Sequence, residues 1–547
     1  MKKFRKIMAV VAAMAMTVAM SFGAIAATNG KSVDTSATST HTFTAYEILK
    51  GTQADDSAEL AVKDWGDALD AESFLGKIKS IADGDKTPFA KVTDAKSFAE
   101  ALSAYKDGTA VAKAVAKAAD ESIKSDATGK VVKSGDTDLD AGYYLIKDTT
   151  KNLSGNDAIN LSLLYQPKHG TVNIQSKADV PTVEKKVKEK NDTTGDETGW
   201  QDAADYDIGD EIPYQITGTL PSTFADYTTY TTYKFTDTLS DGLTITEAEL
   251  NAITVKVGDT SVKDHFDIAV DGQVLTISLK AGEDLKTWTS PALTADSKIV
   301  VEYKATLDTD AIIGSEGNSN RVNLTYSNNP NVDGKGDKGT TPDDKVTVFT
   351  YEIKALKIHA TSDAAVTEDA YNALSDAEKA NYIKIGDTYQ KTEALEGAGF
   401  TLYKKDNKGD FNAVGSEIVG DKITTFEFKG TDAGVYKLVE TTVPAGYNKA
   451  DDIEITVTAT YDTSSDDPKL TSLTVSPESA GFVVTTTKLN DGKSIVTDGV
   501  ISGKVLNNRG SVLPTTGGMG TTILYVAGAI LVIAGAAVLV IKKRHEA

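Results

Sequence analysis

The sequence predicts a mainly β chain of tandem β-sandwiches, with helices inserted in the N-terminal domain and a transmembrane helix at the C-terminus of the precursor. Three observations predict this. Short runs rich in Val, Ile, Thr, Tyr and Phe recur between Gly, Asp, Asn and Pro turns, as at 41–49, 252–258, 297–307, 321–330 and 452–462. Such runs read as strands, and their spacing suits sandwiches. The stretch 95–120 is instead Ala-rich with helical spacing, so one or two helices are expected there, and a shorter one at 364–380. Finally, 523–541 is an uncharged apolar run of nineteen residues, long enough to span a bilayer.

The two ends carry address signals. Lys2, Lys3, Arg5 and Lys6 precede an apolar stretch that closes on Ala24-Ile25-Ala26. This is the pattern of an export signal over 1–26, cut after Ala26 or alternatively Ala27. At the other end, Leu513-Pro514-Thr515-Thr516-Gly517 is followed by the span 523–541 and then Lys542, Lys543 and Arg544. The basic tail stops export, and the span holds the chain in the membrane. The pentapeptide is left where an extracytoplasmic enzyme reaches it. The arrangement resembles the cell-wall sorting signal of sortase substrates. That resemblance implies cleavage between Thr516 and Gly517, with Thr516 carried as an acyl-enzyme onto an amine. It implies a secreted, wall-anchored protein whose partners are sortase and peptidoglycan.

Removing both processed ends leaves about 490 residues, room for three domains. The net charge of −22 includes +4 from the leader and +2 from the tail after Thr516, so the mature chain carries −28. That charge argues against nucleic acid and anionic lipid as partners. There is no cysteine, so any internal crosslink is not a disulfide. The five histidines (His41, His169, His265, His359, His545) are scattered, and no group has metal-ligand spacing. No nucleophile elbow or phosphate loop is present. No metal, cofactor or enzymatic turnover is therefore expected. Proline- and glycine-punctuated stretches at 177–183 and 329–345 read as linkers. They divide the chain into 27–180, 181–345 and 346–511, with 512–547 as the sorting signal. Asp-rich 331–344 reads as solvated, and 406–412 as a hairpin turn rather than a calcium loop.

The sharpest internal pattern lies in the third domain. Tyr436, Leu438, Glu440, Thr441, Pro444, Gly446 and Tyr447 form Y-x-L-x-E-T-x-x-P-x-G-Y. This resembles the E-box of CnaB-type, immunoglobulin-like domains of Gram-positive surface proteins. In that family the glutamate promotes a spontaneous isopeptide bond between a lysine on the first strand and an asparagine on the last. In the first strand, alternation puts Tyr351, Ile353, Ala355 and Lys357 on one face. Lys357 is the expected amine, with Lys354 on the other face as the alternative. In the last strand Val505 and Asn507 share a face, so Asn507 is preferred to Asn508. Burial favours a neutral amine and a protonated acid, which the reaction needs. Proximity in a packed core supplies much of the rate.

The second domain has a parallel set. It opens with Val183, Lys185 and Val187 on one face, carries Asp237 in T-D-T-L-S-D-G-L, and closes with Val322, Leu324, Tyr326 and Asn328 on one face. Together these resemble the CnaA-type middle domain of major pilins. The resemblance implies a Lys185–Asn328 bond promoted by Asp237, with Asn329 as the alternative. In the first domain Asp148 sits where an E-box acid would, but no partner asparagine is evident, and whether a bond forms there is left open.

Between the first two domains, Val172-Asn-Ile-Gln-Ser-Lys177 precedes a proline linker. Its location, alternation and terminal lysine match the pilin motif of polymerised pilins, although the usual Tyr-Pro is Gln-Ser. Lys168, which follows a proline, is the alternative. The whole mature chain thus resembles a major (backbone) pilin of Gram-positive sortase-assembled fimbriae. The resemblance implies polymerisation with other copies head-to-tail from Thr516 to Lys177, with accessory pilins as possible companions and no receptor specified. The alternative is a monomeric wall-anchored adhesin with a stalk of the same domains.

Overall fold

The computed structural model describes residues 31–34, 41–53, 60–106, 108–132, 139–151, 153, 155–167, 170–173, 179–334, 336–361, 365–465, 467–488 and 494–509. The leader, Lys168, Lys177, the pentapeptide 513–517 and the span 523–541 lie outside them. Among the described residues no helix is long and apolar enough to cross a membrane.

The first region is a five-stranded sheet roofed by helices, with a separate two-stranded parallel pair of Lys31–Asp34 and Gly170–Asn173. Its strands run in the order Ala61–Trp65, Phe43–Thr52, Gly142–Asp148, Leu163–Tyr165, and Lys130–Val132 also pairs with Phe43–Thr52. The Ala-rich stretch forms two helices, Ala95–Leu102 and Ala110–Asp120, started by the side chains of Asp94 and Thr109, which accept from the backbone N–H groups of Ser97 and Ala112. A third helix, Ala71–Ile78, is capped in the same way by Asp70. Phe74, Phe98, Val115 and Ala119 bury against Ile48 and Leu145 of the sheet.

The second region is a sandwich. One sheet orders Thr260–Ser261, Thr254–Val257, Lys298–Leu307, Glu211–Thr219, Val183–Val187; the other orders Phe266–Asp271, Val274–Leu279, Tyr233–Leu239, Asn318–Ser327, Asp344–Phe349, Ala203–Asp205. Along Glu211–Thr219 every second residue is buried, which is why Ile212, Tyr214 and Ile216 line the core while Gln215 and Thr217 stay half-buried. The segment expected to be a solvated linker is part of this sandwich. Lys338–Thr340 and Asp344–Phe349 both pair with Asn318–Ser327, and Asn329 and Asn331 are buried. The second sandwich therefore runs to Phe349, past the expected boundary at 345. Asp344–Phe349 then passes into Tyr351–Ala360 with only Thr350 between, so one nearly continuous strand crosses from the second region to the third.

The third region is a second sandwich. One sheet orders Tyr382–Ile385, Thr388–Ala394, Tyr351–Ala360, Ser494–Asn507, Phe482–Lys488, with Thr425–Thr431 on the opening strand. The other orders Phe411–Ala413, Gly399–Lys405, Gly434–Thr442, Ile453–Tyr461, Leu470–Ser476. The opening strand Tyr351–Ala360 and the closing strand Ser494–Asn507 lie side by side and parallel, with Lys357 opposite Val505 and His359 opposite Asn507. Glu368–Asn372 and Asp376–Lys379 supply the helical turns expected near 364–380.

Candidate crosslinking sites

Alternation along the opening strand of the third sandwich points Tyr351, Ile353, Ala355 and Lys357 into the core, and all four are fully buried. Lys354 points outward and pairs with Glu427 at 2.7 Å. The Lys357 ammonium lies 5.3 Å from the centre of the Phe400 ring. It hydrogen-bonds to Oδ1 of Asn507 and lies 3.0 Å from Oε1 of Glu440. Asn507 Nδ2 donates to the same Oε1 at 2.9 Å. The other carboxylate oxygen accepts from the Ala450 N–H at 2.6 Å, which fixes the rotation of the group. Burial lowers the affinity of Lys357 for its proton, and Glu440 opposes this. Asn508, the alternative, is exposed.

In the second sandwich Lys185 is fully buried, with its ammonium 5.1 Å from the ring centres of both Tyr214 and Tyr303. It donates to Asp237 Oδ1 at 2.7 Å and to the Tyr303 hydroxyl at 2.8 Å. The Tyr303 hydroxyl donates to Asp237 Oδ2. Burial lowers the Lys185 pKa and raises that of Asp237, each opposed by the other's charge.

The asparagine at this site is Asn320, not Asn328. Asn320 Nδ2 donates to the Tyr303 hydroxyl at 2.8 Å, while its Oδ1 is buried without a partner. Leaving a buried acceptor unpaired costs about 1–3 kcal/mol. Here the unpaired oxygen sits on the carbon that an amine would attack. Antiparallel pairing sets the choice, because Asp237 stands opposite Val322, two residues from Asn320. Asn328 is six residues beyond Val322, roughly 20 Å along the strand. It belongs to the contact with the first region instead, donating to the Asp157 carbonyl at 3.2 Å. Asn329 donates to Asp337 at 2.8 Å. Sequence reasoning missed Asn320 and Tyr303. The signal for Asn320 was its place on the same face as Val322, Leu324 and Tyr326; nothing local marked Tyr303.

The first region has a cluster of related shape. Asp148 Oδ2 accepts from His41 Nδ1 at 2.6 Å and from Asn160 Nδ2 at 2.9 Å. An imidazole stands where the other two sites hold an amine.

Acidic groups also converge where the second and third regions meet. Asp192, Asp207, Asp210 and Asp432 lie within reach of a common cation. The Lys404 ammonium fills that role, at 3.0 Å from Asp192, 2.7 Å from Asp207 and 2.6 Å from Asp432. In the 406–412 turn Asp406 accepts from the N–H groups of Lys408 and Asp410, each at 2.9 Å, so its carboxylate organises the turn itself.

Three family descriptions match the chain: Gram-positive pilin backbone subunit 2, Cna-B-like domain, over 208–330; a prealbumin-like fold domain over 381–469; and the LPXTG cell wall anchor motif over 506–547. The chain thus joins Gram-positive pilin-backbone and prealbumin-like domains to an LPXTG anchor, the make-up of a major pilin of sortase-assembled pili. The description matched over 208–330, within the middle domain read as CnaA-type, is Cna-B-like. The pilin is 26% identical over 423 residues to the trypsin-resistant surface T6 protein of Streptococcus pyogenes serotype M6, covering 68% of this chain and 70% of that one. Among solved structures it is similar to the T6 backbone pilin of that serotype (16% identity, 89% of this chain and 100% of that one, TM-score 0.49). It is also similar to the full-length major pilin SpaD of Corynebacterium diphtheriae (17% identity, 89% and 95%, TM-score 0.41). The pilin is a structural subunit of a sortase-assembled pilus, secreted and anchored at the cell wall. Sortase, peptidoglycan and further copies of the pilin are its partners.

Proposed function

We propose that each pilin is joined from Thr516 to Lys177 of the next copy, and that bonds Lys357–Asn507 and Lys185–Asn320 form within each copy. The observation that carries the internal chemistry is the position of Glu440 Oε1, 3.0 Å from the Lys357 amine and 2.9 Å from the Asn507 amide nitrogen. The neutral amine attacks Cγ of Asn507, the new C–N bond forms, and the Cγ–Nδ2 bond breaks. One carboxylate oxygen touches both nitrogens, so it takes a proton from the attacking one and delivers it to the leaving ammonia without moving. In the second sandwich Asp237 and the Tyr303 hydroxyl divide that task between Lys185 and Asn320. Each bond forms once, so this is maturation rather than turnover.

Polymerisation follows from the ends. Sortase cleaves Thr516–Gly517, and a lysine amine of another copy resolves the acyl-enzyme. Lys177 fits the acceptor role because the strand Gly170–Asn173 leads toward it and the second sandwich opens just beyond it. Lys168 is the alternative. Accessory pilins would join through the same acyl transfer. A head-to-tail contact of this kind does not close, so it propagates.

The test is the SDS-resistant ladder in wall extracts. Lys177→Ala is expected to collapse the ladder to monomer, whereas Lys168→Ala leaves it intact. A ladder unchanged by Lys177→Ala overturns the acceptor. Absence of a ladder from the natural protein would favour a monomeric adhesin built on the same stalk.

A further inference from the structure

We propose that His41 is a proton-controlled clasp between the first and second domains, closed when its imidazole is protonated and released as that proton leaves. The His41 side chain is fully buried and lies between two carboxylates: Asp148 at 2.6 Å from Nδ1, and Asp157 at 3.3 Å from Nε2. An imidazole with both nitrogens facing carboxylates satisfies both only when both carry hydrogen, which is the charged form. The charged groups facing it are these two, Asp148 from the strand Gly142–Asp148 and Asp157 from the loop after it. Phe43, the first residue of the strand that follows, stacks against the ring at 6.3 Å.

The carboxylates lead outward to the second domain. Asp148 Oδ2 also accepts from the backbone N–H of Asn160 at 3.0 Å, and its Oδ1 accepts from the Thr150 hydroxyl at 2.6 Å. Residues 155–162 form part of the seam with the second sandwich, beside the ion pairs Lys147–Asp333 and Lys113–Asp226. The Ile159 N–H donates to the Asn328 carbonyl at 2.8 Å, and the Ser162 N–H to Asn331 Oδ1 at 2.8 Å. Asn331 Nδ2 returns to the Asn160 carbonyl at 2.9 Å. The Tyr326 hydroxyl, brought to this loop by the second sandwich, donates to Asn156 Oδ1 at 3.0 Å and approaches the Asp157 carbonyl at 3.4 Å. His41 thus holds, through Asp148 and Asp157, the loop on which the two domains meet.

The direction of the pH response follows. The His41 hydrogen bond to Asp148 raises the imidazole pKa above its ordinary value, against the cost of burial. The closed clasp therefore binds a proton that the open one gives up. Its contribution is complete below the ordinary imidazole pKa and is lost as pH rises through the elevated one. Between those limits the opening equilibrium shifts by up to about tenfold per pH unit, as for one coupled proton. This does not depend on which lysine accepts the next subunit.

Hydrogen exchange on the full chain in detergent, corrected for intrinsic rates, tests it. Protection across 155–162 is expected to fall as pH rises from 6 to 9 in the natural protein, and to lose that slope in His41→Gln. Flat protection in the natural protein overturns the clasp, as does an unchanged slope in His41→Gln. Should that variant misfold, exchange of the His41 C2 hydrogen in the natural protein decides: titration at or below the ordinary imidazole value overturns the proposal, and titration above it supports the proposal.

Discussion

At the scale of single residues, the two crosslinking sites solve one problem differently. Taking a lysine ammonium and a carboxylate out of water costs several kcal/mol per ion unless each meets close partners. Lys357 meets its acid and its amide directly, whereas Lys185 and Asn320 meet through the Tyr303 hydroxyl. The opposing burial shifts at Lys185 and Asp237 favour the uncharged pair. An uncharged amine is the nucleophile, so the same burial that costs folding energy prepares the reaction. The choice of Asn320 is open to a mass measurement. The intact natural protein is expected to fall short of its sequence mass by two ammonias. Asn320→Ala should restore one of them and Asn328→Ala none. If Asn328→Ala restores an ammonia and Asn320→Ala does not, the second crosslink has been wrongly assigned.

At the scale of elements, period-two patterning carried far and then stopped. It placed Tyr351, Ile353, Ala355 and Lys357 on one face, because that face is fixed by the strand alone. It did not separate Asn320 from Asn328, because both lie on one face and only the pairing with Tyr233–Leu239 distinguishes them. Asp-rich 331–344 looked solvated because its composition is polar. Its aspartates Asp333, Asp337 and Asp343 are indeed exposed, but the segment is tied into the fold, with Asn331 buried against Asn160 and Asp343 accepting from Asn323, each at 2.9 Å. The helix Ala71–Ile78 was not expected because it has a single alanine, whereas the equally short Ala95–Leu102 lies in an Ala-rich run. The joint between the second and third regions was also hidden, since it gathers Glu189, Asp205 and Tyr461 from distant segments. Glu189 Oε2 accepts from the Asp205 N–H at 2.7 Å and from the Tyr461 hydroxyl at 3.2 Å. Burial, then the neighbouring charge of Asp205, pushes Glu189 up to about 9. The folded joint thus keeps a proton that the unfolded chain releases at the ordinary glutamate value. Stability is complete below that value and falls as pH rises from it to about 9. Glu189→Gln, which carries its hydrogens at every pH, should flatten that fall in chemical unfolding measured from pH 5 to 9. An unaltered slope would show that the proton resides elsewhere.

At the scale of the whole molecule, the proposed crosslinks and the proposed acceptor Lys177 would decide which residues carry load. With the proposed bonds in place, tension entering at Thr516 would run back to Asn507, cross to Lys357, and follow the nearly continuous strand through Thr350 and Asp344–Phe349 into the second sandwich. It reaches Asn320, crosses to Lys185, and leaves at Lys177. Residues 186–319 and 358–506 lie off that path, held as closed loops by the two bonds. The first domain would lie off it too, because the proposed acceptor, Lys177, follows it in the chain. A hydrogen-bonded clasp at His41 is adequate there, whereas sites on the path need covalent bonds. Pulling a single pilin between positions 177 and 516 makes this measurable. The natural protein should stretch without unfolding either sandwich. Glu440→Gln removes the proton carrier but keeps the side chain's shape, so the third sandwich should then unfold as a separate event. Freeing 358–506 would lengthen the tether by roughly 500 Å at full extension. The second sandwich, still closed by Lys185–Asn320, should stay folded in that variant. An extension of that length in the natural protein would mean that the Lys357–Asn507 bond does not carry the load.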